Sequence, residues 1–92
     1  MSKFHGKSAI VTGGASGIGK SLTRQLVEHG ARVLIADICG AHSAAQELGC
    51  EGIELDVTDQ VAVKRCVDDF AQSQGGLDYM FNNAGILVVG DA

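Results

Sequence analysis

The sequence predicts an α/β fold in which a parallel sheet carries helices on both faces. Three observations support this. Short apolar runs alternate with stretches of helical periodicity along the chain. The run at residues 32–36 is apolar almost throughout, as strands are when both sheet faces are covered, and a shorter apolar run lies at 8–12. Glycines punctuate the junctions between the two kinds of segment.

The elements follow in order. Ser8-Ala-Ile-Val-Thr12 is a strand that ends at a glycine cluster. Residues 17–29 turn helical, with Ile18, Leu22 and Leu26 spaced four apart on one face and Gly30 as the stop. Residues 32–36 form the second strand. Residues 41–48 form a short helix closed by Gly49. Residues 52–56 alternate as a third strand. Thr58 or Asp59 caps a helix that runs to about Gln74, with Val63, Val67 and Phe70 on one face. Gly75-Gly76 ends it, and residues 77–81 form the fourth strand. Strands alternating with helices imply right-handed crossovers and a parallel sheet.

Bulk properties exclude several classes. Ninety-two residues make at most one small domain, of marginal stability because so short a chain buries a small share of its surface. Hydrophobic content of 46% and charged content of 20% fit a globular chain. The net charge is −4 and no basic run occurs, so neither nucleic acid nor an anionic membrane is an expected partner. The polar N-terminus offers no signal peptide or membrane helix. Cys39, Cys50 and Cys66 are odd in number and lack CxxC spacing. They are read as buried thiols in a reducing compartment, the cytoplasm, and no metal site is expected. His5, His29 and His42 share no ligand spacing, and Asp68-Asp69 reads as a solvated helix face.

The loop after the first strand reads Thr12-Gly13-Gly14-Ala15-Ser16-Gly17-Ile18-Gly19. Glycines here allow a tight turn, let the backbone approach a pyrophosphate, and let the helix pack closely on the strand. The pyrophosphate then lies at a helix N-terminus, facing free N–H groups and the positive end of the dipole. The spacing Gly13-x-x-x-Gly17-x-Gly19 departs from GxGxxG. It is not a phosphate-binding Walker loop either, because Lys20-Ser21 comes only after Ile18-Gly19. The loop follows a strand, opens a helix and precedes a strand-end acid, Asp37. The fold expected is a Rossmann-like doubly wound parallel sheet, with its first four strands present in the order 3-2-1-4.

Asp37 ends the second strand. A carboxylate there accepts hydrogen bonds from both ribose hydroxyls of an adenosine. It repels a 2′-phosphate, which would need Arg or Lys. Ile38 follows it and Ser16 precedes Gly17, so neither position is basic. The expected cofactor is NAD rather than NADP.

These residues resemble a known family. Residues 12–19 look like the TGxxxGxG loop of the short-chain dehydrogenases/reductases. Asn82-Asn83-Ala84-Gly85 looks like that family's NNAG motif, and Asp56-Val57 resembles its adenine-contacting pair. Read on their own, Asn side chains at a strand end can tie strands together. The small Ala84 and Gly85 leave room for a ligand at the carboxyl edge of the sheet. The resemblance implies that Asn83, Ala84 and Gly85 line the cofactor's ribose side, that Ile18 packs near the pyrophosphate, and that Asp56 faces the adenine amino group. Gly13, Ser16, Gly17, Gly19, Asp37, Ile38 and Val57 complete the expected cofactor site.

The family's chemistry uses a Ser, a Tyr-x-x-x-Lys pair and a further Asn. Tyr79 is the sole tyrosine and position 83 is Asn, so that pair is absent and Tyr79 reads as a packing residue. No catalytic residue is assigned. An apolar fourth strand left without a further neighbour would be a liability. Residues 1–92 are therefore expected to be the N-terminal part of one NAD-binding domain in a longer protein, inactive by themselves. The whole is expected to be an NAD-dependent oxidoreductase that interconverts a small secondary alcohol and a ketone, as a homodimer or homotetramer. The alternative is a nucleotide-binding module without catalysis. A methyltransferase using S-adenosylmethionine also pairs a glycine loop with a strand-end acid, but the run at 82–85 argues against it.

Overall fold

In the computed structural model, which describes residues 4–83, Ser8–Thr12 form strand β1 and every one of its residues is buried. Helix α1 (Gly17–Glu28), β2 (Arg32–Asp37), α2 (Ala41–Leu48), β3 (Glu51–Glu54), α3 (Gln60–Gln74) and β4 (Tyr79–Asn82) follow. The strands lie in the order β3-β2-β1-β4, and each neighbouring pair is parallel. The expected doubly wound α/β sheet with order 3-2-1-4 is what forms.

Alternation along the strands divides the core between two faces. Ala9, Val11 and Val33 pack with Leu26, and with half-buried Leu22 and Val27, on the α1 side. On the same face, Ile35 meets Ala41, Ala44 and Ala45 of α2. On the other, Ile10, Leu34 and Ala36 meet Cys66 and Phe70 of α3. The chain therefore changes faces between β3 and β4. That change opens a crevice beyond the carboxyl ends of the central strands, where open α/β sheets hold ligands.

Two helical faces differ from expectation. Ile18 is 79% exposed, and the buried positions of α1 are Gly19, Thr23 and Leu26. Close approach of Gly19 to the strand layer turns the helix so that Ile18 points away from the sheet. The Thr23 hydroxyl is satisfied by donating to the Gly19 carbonyl at 2.9 Å. On α3 the buried pair is Cys66 and Phe70, with Val67 packed against it and Val63 only half-buried.

Strand bounds shift as well. β3 spans Glu51–Glu54, so Asp56 and Val57 lie beyond its end. β4 begins at Tyr79, with Leu77 packed into the core beside α3. Tyr79 is a packing residue, its ring 5.3 Å from Phe4 and 6.0 Å from Phe81 between centroids. Helix α1 ends one residue early, at Glu28. Gly30, at φ 87°, completes a double turn: its N–H donates to Val27 and the Ala31 N–H to Leu26, each at 3.0 Å.

Cys66 is buried, as expected, but Cys50 is only half-buried and Cys39 is exposed beyond the end of β2. Burial, with the Glu51 charge adding, pushes the Cys50 thiol up to about 11. Burial and Asp69 raise Cys66 in the same direction. Among the described residues no helix is long and apolar enough to cross a membrane, and no cluster of His, Cys, Asp or Glu could hold a metal.

Deleting the Leu26 side chain beyond Cβ is expected to cost about 2–5 kcal/mol, read as a lowered urea midpoint of Leu26→Ala. At the amino end of the sheet, Asp78 Oδ2 accepts the Ser8 N–H at 2.9 Å, while the Ser8 hydroxyl donates to the Gly76 carbonyl at 2.7 Å. The Ser8 N–H bond is the main reason the Asp78 carboxyl lies below the usual range; Lys7, the Ser8 hydroxyl and Arg32 add to it. The ionised form is thus favoured by folding. Its contribution is present above the ordinary carboxylate pKa of about 4 and is lost as pH falls below it. Asp78→Asn is expected to lower the urea midpoint at pH 7 and to show a smaller further drop on acidification to about pH 3 than the parent.

Candidate functional site

The site grows out of the ends of β1, β2 and β4. Thr12, the last residue of β1, stands level with Ala36 on one side and Asn82 on the other. Gly13 then turns at φ 68°, its N–H still bonded to the Ala36 carbonyl at 2.8 Å. Gly14 is wedged between Ile35, Thr23 and the Val11 carbonyl, each of which would lie 3.1 Å from an added Cβ. At Gly19 a Cβ would collide with the Gly13 carbonyl and approach Asn83 Nδ2 to 2.6 Å. Helix α1 reaches the strand only because Gly19 has no side chain.

The start of α1 is left open. Ser16 occupies the N-cap with extended backbone, its hydroxyl makes no capping bond, and no acid lies in the first turn. At α3, by contrast, Asp59 accepts the Ala62 N–H at 3.1 Å. The first amide groups of α1 therefore have no capping side chain to satisfy them, as an incoming anion requires.

Two further hydrogen-bonded knots fix the rim. The Thr12 hydroxyl oxygen accepts the Asn83 N–H at 3.0 Å and lies 3.3 Å from both the Phe81 carbonyl and Asn82 Oδ1. Asn83 Nδ2 also donates to the Gly13 carbonyl at 3.4 Å. Asp56 Oδ1 accepts the Thr58 hydroxyl at 2.7 Å and its N–H at 2.9 Å. Those bonds, the hydroxyl first, hold the Asp56 carboxyl below the usual range.

Between these groups lies a cleft of about 500 Å³. It brings together Gly13, Ser16, Gly17, Ile18, Asp37, Ile38, Asp56, Val57 and Asn83, all singled out in the sequence, and adds Leu55. Leu55 was missed; as the apolar residue next to Asp56 at the end of a strand, it carried a faint signal. Gly19 lies behind the loop rather than in the cleft wall. Ala84 and Gly85 fall outside the described residues. Ile18 and Ile38, 79% and 66% exposed, present apolar surface at the opening. No lysine or arginine lines the cleft among the described residues, whereas Asp37 and Asp56 both do.

A family model for short chain dehydrogenase matches residues 7–92. The chain belongs to the short-chain dehydrogenase family. This family typically binds a nicotinamide cofactor. Among curated relatives, a (+)-cis,cis-nepetalactol synthase of Nepeta racemosa is 48% identical over 91 residues, covering 92% of this chain and 34% of that protein. Secoisolariciresinol dehydrogenase of Forsythia intermedia is 43% identical, covering 91% of this chain and 32% of that protein. (+)-Borneol dehydrogenase 1 of Salvia officinalis is 47% identical, covering 92% and 34%. The chain thus spans about a third of the length of the curated relatives it matches. Among solved structures, the apo form of LigD from Sphingobium superposes with a TM-score of 0.79 at 29% identity, covering 85% of this chain and 37% of that one.

Two substitutions test the geometry. Gly19→Ala is expected to destabilise the fold by about 1–3 kcal/mol, seen in chemical denaturation, because backbone and Asn83 must move to admit the methyl. Thr12→Val keeps the shape but leaves the Asn83 N–H without its acceptor, a cost of about 1–3 kcal/mol. Thr12→Ser, which keeps the hydroxyl, is expected to recover most of that loss in the same measurement.

Proposed function

We infer that this chain forms the adenosine side of an NAD site in an oxidoreductase that interconverts a secondary alcohol and a ketone by hydride transfer. The observation that carries the cofactor choice is the Asp37 carboxylate in a cleft wall that contains no basic residue among those described. The loop supports the fit. Gly19 leaves the strand-to-helix approach open, and the α1 N-terminus offers amides that no side chain caps. The dinucleotide would rest with its pyrophosphate on Gly17 and Ile18. Asp37 would accept from the ribose hydroxyls, and Asp56 from the adenine amino group. Ile18, Ile38 and Val57 would shield it from water. Bound there, the cofactor supplies the hydride donor or acceptor.

The groups that would move the hydroxyl proton are proposed to belong to the part of the relatives' length that this chain does not span. Tyr79 packs edge-to-face with Phe4 and stacks on Phe81, and it is followed by no lysine four residues on. Within the same proposal, the substrate is a small alcohol or ketone, the location is cytoplasmic and the assembly is a homodimer or homotetramer. The second reading, a nucleotide-binding module without catalysis, is favoured by that missing Tyr-x-x-x-Lys pair. NADH formation from secondary alcohols by a protein that spans the relatives' full length separates the two; the 92 residues alone are expected to give none.

NAD is expected to bind at least about tenfold more tightly than NADP by calorimetry, a difference of roughly 1.4 kcal/mol. Replacing Asp37 with Ser and Ile38 with Arg together is expected to reverse the order, since the guanidinium matches a phosphate. Equal dissociation constants for the two cofactors in the unmodified protein would overturn the assignment.

A further inference from the structure

Asp37 does more than end a strand. Its Oδ2 accepts the Ala15 N–H at 3.1 Å, across twenty-two positions of sequence, and its Oδ1 lies 3.4 Å from the Cys39 N–H. Ala15 sits at the apex of the glycine loop. Its methyl packs against the cluster formed by Ile35 and the α2 alanines, 3.7 Å from where a Cβ on Gly40 would stand. The loop apex is thus gripped twice, by an apolar contact to α2 and by a charge-assisted hydrogen bond to β2.

We propose that Asp37 is a positioning residue for the pyrophosphate loop, holding it in its ligand-ready shape before any nucleotide arrives. This rests on the dinucleotide reading above and deepens it. Each carboxylate oxygen carries two lone pairs, so both backbone N–H groups and two ribose hydroxyls can be served at once. Two functions usually assigned to separate parts of such a site, reading the ribose and shaping the loop, then converge on one side chain. Substitutions that remove the acid to change cofactor preference would also loosen the phosphate cradle. The remaining grip on Ala15 would be apolar and undirected.

Two measurements on the unmodified protein and on Asp37→Ala test this. The first is hydrogen exchange at the Ala15 amide without ligand. Loss of the bond is expected to speed exchange by about tenfold or more; unchanged exchange overturns the proposal. The second is calorimetric binding of ADP and of 2′,3′-dideoxy-ADP, which has a pyrophosphate but no ribose hydroxyls. Asp37→Ala is expected to weaken the dideoxy probe by about fivefold or more, because the loop no longer waits in place. A variant that loses affinity for ADP yet binds the dideoxy probe as the parent does would show a ribose role alone and overturn the proposal. Failure of the unmodified protein to bind ADP at all would sink the dinucleotide reading and this role with it. Asp37→Asn retains an oxygen for the Ala15 N–H and is expected to lie between parent and Asp37→Ala in exchange. An Asn variant that exchanges as fast as the Ala variant counts against the proposal.

Discussion

β1 is paired on both sides, and that circumstance places every group at the cleft. With Thr12 level with Ala36 and Asn82, the residues that follow each strand emerge at one edge of the sheet. Gly13 and Asn83 are those residues at β1 and β4, and Asp37, the last residue of β2, stands beside them. β3 adds its own: Glu54 stands opposite Asp37, and the Leu55 N–H still bonds the Asp37 carbonyl at 2.9 Å, so Asp56 arrives from the outer side. A slip of β1 by one residue would exchange its two faces and dismantle both halves of the core. The precision of the cleft is therefore inherited from burial of the strands, not from the loops that line it.

The contact between α1 and β1 is the tightest part of that frame. Gly13, Gly14 and Gly19 lie in or against it, and a methyl at Gly14 or Gly19 would press on backbone or packed side chains. Close packing of this kind brings the start of the helix, which no side chain caps, against the strand end. It also explains the missing cap. A side chain that satisfied the first amides of α1 would fill the space that the proposed pyrophosphate site needs.

Much of this was legible in the sequence because periodicity reports burial. The four strands and three helices followed from apolar runs and glycine stops, the strand order from the Rossmann-like reading of the glycine loop and strand-end acid, and nine residues of the cleft wall from motif and position. What escaped detection depended on rotation and register. Ile18 fits the apolar stripe of α1 by spacing, yet Gly19 is the residue that faces the sheet. Cys39 shared the buried reading given to Cys50 and Cys66, yet it stands exposed two residues beyond the end of β2. The bond from Asp37 to Ala15 joins two segments whose proximity only the parallel pairing of β1 with β2 creates. No local pattern records such a contact.

The unequal burial of the three cysteines has a practical consequence. Burial pushes the Cys50 and Cys66 thiols up, which lowers their share of the reactive thiolate, and it also keeps reagents from them. Cys39 alone stands exposed, two residues beyond Asp37 and next to Ile38 at the cleft opening. An electrophilic fluorophore is thereby directed first to Cys39, beside the cleft. The fold supplies a ready attachment site for an optical reporter beside the cleft, with no engineered residue.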